Sequence, residues 1–342
     1  MMTESIEGKS AIETGPRGRA RFALKLASFS AIQLVLFAGV EIRLAQIPNP
    51  YSIKRARLES SPGTKILLLG SSHVLGGLNP DELGLPAINL AGYSQDLYYD
   101  SQLVLREIDR LPSLQCVVLG LSYFSLEYDM EASCEEWRSC YYRRYFGIPH
   151  RHLVNEFDLR NYSLFFLYGP DLARQILLTG NDPGFSALVQ SNGWAENPVP
   201  VDPNAAVSDG AARLAAHHGL MREDNLGRNL AVLDELLDVL HRREIQVVLV
   251  TTPVHRSYST EFDPQRESRF RGAVRHLQAR YGAHYFDFSN DARFDARDFY
   301  NSDHLNRDGA TKLSRLFGRE LQEMVNDRTM PSWSSRNRPK SF

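Results

Sequence analysis

Five short aliphatic runs, separated by stretches of helical periodicity, restrict the fold more than any other feature of the sequence. They are Ile66 to Leu69, Ala87 to Ala91, Cys116 to Leu121, Gln246 to Thr251 and His284 to Phe288. Their lengths are those of strands, and most are rich in β-branched or aliphatic residues. Within Gln95 to Arg110, Leu97, Val104, Leu105 and Ile108 recur at helical spacing, with Ser94 placed as an N-cap. Leu226, Leu230, Leu233, Leu237 and Leu240 form a second stripe, and Leu313, Leu316, Phe317, Leu321 and Val325 a third. Strands alternating with amphipathic helices imply βαβ crossovers and a mainly parallel sheet covered on both faces, so the expected fold class is α/β.

The third and fourth runs lie more than 120 residues apart, far beyond one crossover. Residues 123–222 are therefore expected to hold an inserted subdomain or lid. Its helical part is expected at Asn161 to Leu178, with irregular loop over 193–209, where Pro198, Pro200 and Pro203 fall.

Arg17, Arg19, Arg21 and Lys25 precede a charge-free run from Leu26 to Val40. Phe22 to Ile47 suffices to cross a bilayer if Lys25, Glu41 and Arg43 lie near the interfaces. The arginines then place the N-terminus in the cytoplasm, and everything after residue 50 outside it. A cleaved signal peptide and an amphipathic helix packed on the domain are the alternatives, but no clear small-x-small cleavage site follows. Asn49-Pro50 marks the exit from this segment. The expected organisation is a disordered cytoplasmic tail over 1–21, a transmembrane anchor over 22–47, a linker over 48–63, one domain over 64–325 and a disordered tail over 326–342.

Thirty-nine basic against 41 acidic residues give a formal charge of -2, which offers no reason to expect nucleic acid as a partner. Three cysteines lack the paired spacing of a zinc site, so neither a metal nor another cofactor is expected. Cys116 starts an apolar strand, while Cys134 and Cys140 flank a polar segment and can pair in an oxidising compartment. The glycines Gly70, Gly76 and Gly77 do not match a dinucleotide-binding loop.

Gly70-Ser71-Ser72-His73 follows the first strand directly, at the sheet edge where open α/β folds place ligands. A serine hydroxyl there becomes a nucleophile once a histidine accepts its proton and a carboxylate or amide orients the imidazole. The segment Asp298 to Asn306 offers His304, with Asp303, Asn301 and Asp298 as alternative orienters, Asp303 first among them.

With these blocks the chain resembles the SGNH/GDSL hydrolase superfamily. Gly70-Ser71-Ser72 is similar to its first block, Asn89-Leu90-Ala91-Gly92-Tyr93-Ser94 to its second, and Asp303-His304-Leu305-Asn306 with Asp308-Gly309-Ala310 to its last. The resemblance implies a flavodoxin-like parallel-sheet SGNH hydrolase fold, Ser72 as nucleophile, His304 as base and the Ser72 and Gly92 N–H groups as oxyanion donors. Two departures stand out. Leu119-Gly120-Leu121-Ser122-Tyr123 lacks the third-block asparagine, leaving Ser122 as a substitute donor, and Asn301 stands where the family has its aspartate. With the anchor, these features look like membrane-anchored SGNH proteins associated with membrane-bound O-acyltransferases, the DltD-like and AlgJ/AlgX-like proteins. That resemblance implies a periplasmic esterase or O-acyltransferase acting on acyl, above all acetyl, groups of a cell-envelope polysaccharide. Its alternative is a non-catalytic, polymer-binding partner of a membrane acyltransferase.

His73, Tyr93 and His255 are candidates for lining the substrate site. His217-His218 lies in an alanine-rich, helical segment without a third metal ligand, and Arg143, Arg144, Arg151, His150 and His152 read as a solvated basic face.

Overall fold

The structure is a computed structural model and describes residues 16–152, 157–182 and 189–326. Most of the two expected tails, 1–15 and 327–342, lies outside the described residues. The chain divides into two compact units, Met1–Ile47 with Ser163–Asn181, and Pro48–Tyr162 with Asp182–Phe342.

Helix α1 (Pro16–Ala45) is long and apolar enough to cross a membrane, and Phe22, Leu24, Phe29, Ile32, Leu34, Val35 and Leu36 are exposed along it. It starts before the expected boundary, so Arg17, Arg19 and Arg21 belong to the helix. The expected linker folds as helix α2 (Pro50–Ser60) and buries Tyr51, Lys54 and Leu58. Asn49 caps it by accepting from the Tyr51 and Ser52 N–H groups, and Pro50 occupies the first turn, where its missing N–H costs nothing. Asn49-Pro50 thus starts a helix as well as ending one.

Strand β1 (Ile66–Leu69) is fully buried and runs into helix α3 (Ser72–Gly77), capped by Ser71. Strand β2 (Ala87–Asn89) leads to helix α4 (Leu97–Glu107), and strand β3 (Cys116–Gly120) follows. The cap of α4 is Asp96, which accepts from Tyr98 and Tyr99 N–H, and not Ser94, which adopts a left-handed backbone with φ 53°. A Cβ on Gly120 would lie 2.1 Å from Val74, so the glycine at the end of β3 lets α3 pack across it.

The insertion carries helices α5 (Arg138–Phe146), α6 (Leu164–Thr179), α7 (Pro203–Ala206) and α8 (Gly210–Leu220). It is divided between the two units. Helix α6, broken at Gly169 ahead of Pro170, belongs with α1: Glu41 accepts from the Ser163 hydroxyl and the Leu164 and Phe165 N–H groups, a carboxylate at a helix N-terminus. Leu44, Ile47, Leu164, Ala173 and Ile176 bury one another beside it. The stretch expected to be irregular, 193–209, holds α7, and its Ala195 bridges back to Val189.

Beyond the insertion come α9 (Asn225–Arg242), β4 (Gln246–Thr251), α10 (Arg256–Ser259), α11 (Pro264–Tyr281) and β5 (His284–Asp287). A short antiparallel pair, β6 (Phe299–Asn301) and β7 (His304–Leu305), precedes α12 (Arg307–Asn326). All pairings in the main sheet are parallel, in the order β2-β1-β3-β4-β5, which is the flavodoxin-like order. Its topological switch point falls between β1 and β3, where ligands of such sheets bind.

Candidate active site

Ser72 is the first residue of α3, immediately beyond the carboxyl end of β1. The β6–β7 pair sets Asn301 opposite His304 and delivers the imidazole to the same place. His304 Nε2 lies 2.8 Å from Ser72 Oγ. On its other side, Nδ1 faces two oxygens, Asp303 Oδ1 at 3.0 Å and Asn301 Oδ1 at 3.1 Å. Two acceptors at Nδ1 fix its proton there, which leaves Nε2 free to accept from the serine hydroxyl. The Asn301 oxygen also accepts from the His304 N–H at 2.9 Å and the Asp303 N–H at 3.3 Å, so the amide holds the turn while Asp303 supplies the charge. Asp298, the remaining alternative, instead binds Lys312 and the Asp295 N–H.

Asp303 is buried and clamped from three directions. Arg213 on α8 donates from Nε to Oδ1 and from a terminal nitrogen, at 3.0 Å, to Oδ2. His73 Nε2 lies 3.2 Å from Oδ2, and His73 Nδ1 lies 2.8 Å from Ser122 Oγ. Burial pushes the Asp303 carboxyl up, but the charge and hydrogen bond of His304, with the hydrogen bond of His73, outweigh it and hold the group well below the usual carboxylate range. Burial lowers His73, so its imidazole is neutral, with Nε2 donating to Asp303 and Nδ1 accepting from Ser122. His217, also on α8, is lowered to about 3 by burial; its Nδ1 is 2.5 Å from the Tyr258 hydroxyl and its Nε2 is 3.8 Å from Asp303.

The two oxyanion candidates beyond Ser72 are otherwise engaged. The Gly92 N–H donates to Gly70 O at 3.0 Å, continuing the β1–β2 ladder. Ser122 gives its backbone N–H to Ser125 Oγ and its hydroxyl to His73. Two residues past Gly92, the left-handed Ser94 turns the chain, and its N–H, like that of Ser72, has no acceptor among the described residues.

His73, expected to meet substrate, is buried beside His304, with ring centroids 4.9 Å apart. His255 caps α10 through the Ser257 N–H. Tyr93 sits by the Arg138 guanidinium and lines a separate small cavity with Tyr51, Lys54 and Tyr142. The expected basic face is partly turned inward: His152 pairs with Asp129 at 2.9 Å, and His150 binds Asn161 while buried. Cys134 and Cys140 are free thiols, the first exposed and the second buried.

His73, Asp303 and His304 offer metal-ligating atoms within 4.8 Å of one another. The Arg213 guanidinium already occupies both Asp303 oxygens, so a fixed positive charge stands where a cation would bind, and the donor set does not fit a metal.

No model of a known protein family and no curated protein matches the sequence. Among solved structures, a lipase/acylhydrolase from Enterococcus faecalis aligns at 11% identity and TM-score 0.38, over 76% of this chain and 96% of that one. A Bacteroides fragilis protein described as a candidate acylhydrolase aligns at 11% identity and TM-score 0.40, over 83% and 95%. A carbohydrate esterase family 2 enzyme with a carbohydrate binding domain, from Corynascus, aligns at 11% identity and TM-score 0.36, over 78% and 67%. Likeness of this degree assigns neither family nor substrate to the chain.

Proposed function

We propose that the chain is an SGNH-type serine esterase or O-acyltransferase, anchored by α1 with its α/β domain outside the cytoplasm. The observation that carries this reading is the unbroken line Ser72 Oγ, His304 Nε2, His304 Nδ1 and Asp303 Oδ1, with separations of 2.8 Å and 3.0 Å at its two hydrogen bonds. Ser72 attacks the acyl carbonyl as its proton passes to His304 Nε2. The departing alkoxide then takes that proton, leaving an acyl-serine. Water or an acceptor hydroxyl gives its proton to the same nitrogen and removes the acyl group, so hydrolysis and transfer use one intermediate. The Ser72 N–H, which has no acceptor among the described residues, is the free donor of the expected oxyanion set. The sequence resemblance to anchored SGNH proteins supports an acetylated cell-envelope polysaccharide as substrate and a membrane-bound O-acyltransferase as partner.

Turnover of p-nitrophenyl acetate tests the reading. Measured in Ser122→Ala protein, which keeps Ser72 and His304, adding Ser72→Ala lowers it by about 1,000-fold or more, the scale on which loss of a serine nucleophile is felt. Unchanged turnover in that variant overturns it.

A further inference from the structure

Asp303 serves two histidines, and each histidine faces a serine. One line is Ser72–His304–Asp303. The other runs from Ser122 Oγ to His73 Nδ1 at 2.8 Å and from His73 Nε2 to Asp303 Oδ2 at 3.2 Å. The two serines hold equivalent places in the sheet. Leu69 of β1 pairs with Leu119 of β3, and Ser72 and Ser122 each stand three residues beyond their leucine, on the two strands that flank the switch point. We infer that Ser122, His73 and Asp303 form a second nucleophilic site, for small acyl esters, sharing its carboxylate with the first.

A small open cavity supports this assignment, since Ser122 and His73 line it and Ser72 and His304 do not. Its walls are Tyr123, Tyr258, Phe262 and Phe270, and it is bordered by Glu267, Arg271 and Asp287, whose side chains reach solvent. Apolar walls suit a short acyl group, with the polar part of the ester toward the charged rim. His73 is neutral and has its accepting nitrogen on the hydroxyl, as a general base requires. The N–H of Tyr123, the residue after Ser122, has no acceptor among the described residues and is available to the oxyanion.

In the acyl step the Ser122 Oγ–carbonyl carbon bond forms as the hydroxyl proton moves to His73 Nδ1. The ester C–O bond then breaks, and the leaving oxygen takes that proton. Water reverses the sequence to release the acid. With the His73 and His304 rings 4.9 Å apart, two imidazolium charges repel, so the sites work one at a time.

The test is phosphonylation of the full-length chain in detergent micelles by a short-chain fluorophosphonate, mapped on tryptic peptides. Residues 66–106 carry Ser72 and residues 111–138 carry Ser122, so each adduct is assigned directly. Ser72→Ala becomes labelled on Ser122, and adding His73→Gln slows that labelling by about 100-fold or more, as loss of a general base does. Thermal melting of both variants verifies that they are folded. Label confined to 66–106 in Ser122→Ala, with 111–138 unmodified in Ser72→Ala, overturns the second site and leaves the first standing. Label on Ser122 alone supports the second site and removes the Ser72 reading. Absence of label from both peptides overturns both, and labelling of Ser122 indifferent to His73→Gln overturns the second.

Discussion

At the scale of single residues, the arrangement turns on how a carboxylate directly before the histidine can orient the imidazole, with Asn301 standing three positions earlier. The tight β6–β7 turn provides the answer: Asn301 fastens the turn by accepting backbone N–H groups, and Asp303 folds back to reach the imidazole of the next residue. Arg213 holds that carboxylate in place through two donors. Removing the guanidinium charge raises the Asp303 pKa, so its carboxylate protonates at higher pH. Arg213→Gln therefore shifts the acid limb of kcat/KM for p-nitrophenyl acetate to higher pH, a change that a purely structural role would not produce. A profile lowered in height but fixed in position contradicts the assignment. Ser72, His304 and the competing orienters are readable from local sequence because each sits in a short block beside a strand end. Arg213 is not, and His73, legible as a substrate-lining candidate, gives no local sign of its bond to Asp303. Arg213 lies 90 positions from Asp303 in an alanine-rich helix, and nothing near it signals a buried partner. Gly92 misleads for the opposite reason: a glycine in the right block invites an oxyanion role, yet its N–H belongs to the sheet.

Among the elements, the strands and the α4, α9 and α12 stripes follow from periodicity, whereas α2 is concealed by its charge. Lys54, Arg55 and Arg57 fall in the expected 48–63 linker, but Lys54 is buried, with its ammonium on Ala91 O and near Asp100. Burial lowers Lys54 to about 7 and raises Asp100 to about 8, while Asp100 Oδ1 accepts from the Gly70 N–H at 2.8 Å, just before the Ser71-Ser72 turn. An aspartate raised above its unfolded value contributes stability below the ordinary carboxylate range and loses it as pH rises toward the folded value. Asp100→Asn keeps the acceptor oxygen but does not titrate. Its melting temperature relative to the parent accordingly climbs between pH 5 and pH 7, a window lying mostly below the Lys54 transition. Parallel melting curves across that window contradict the buried-carboxyl account.

For the molecule as a whole, the parallel α/β class is recoverable from the alternation of strands and helices, and the serine turn at the sheet edge from the position of Ser72 after β1. Strand order is not encoded in any one segment, because it depends on which face each crossover takes. The division of the expected insertion between the two units is hidden on the same ground: local sequence marks the helix near 164–179, but its partner Glu41 stands 122 residues from Ser163. What the fold achieves is convergence at one switch point of groups from the start, the middle and the end of the domain. The rate at which a fluorophosphonate modifies Ser72 reports most directly on whether that convergence makes a nucleophile. With Asp303→Asn the rate on residues 66–106 falls by about 1,000-fold to 10,000-fold, as happens when a histidine loses its orienting carboxylate. An unmodified 66–106 peptide in the parent protein, or an Asp303→Asn rate equal to the parent's, contradicts the account.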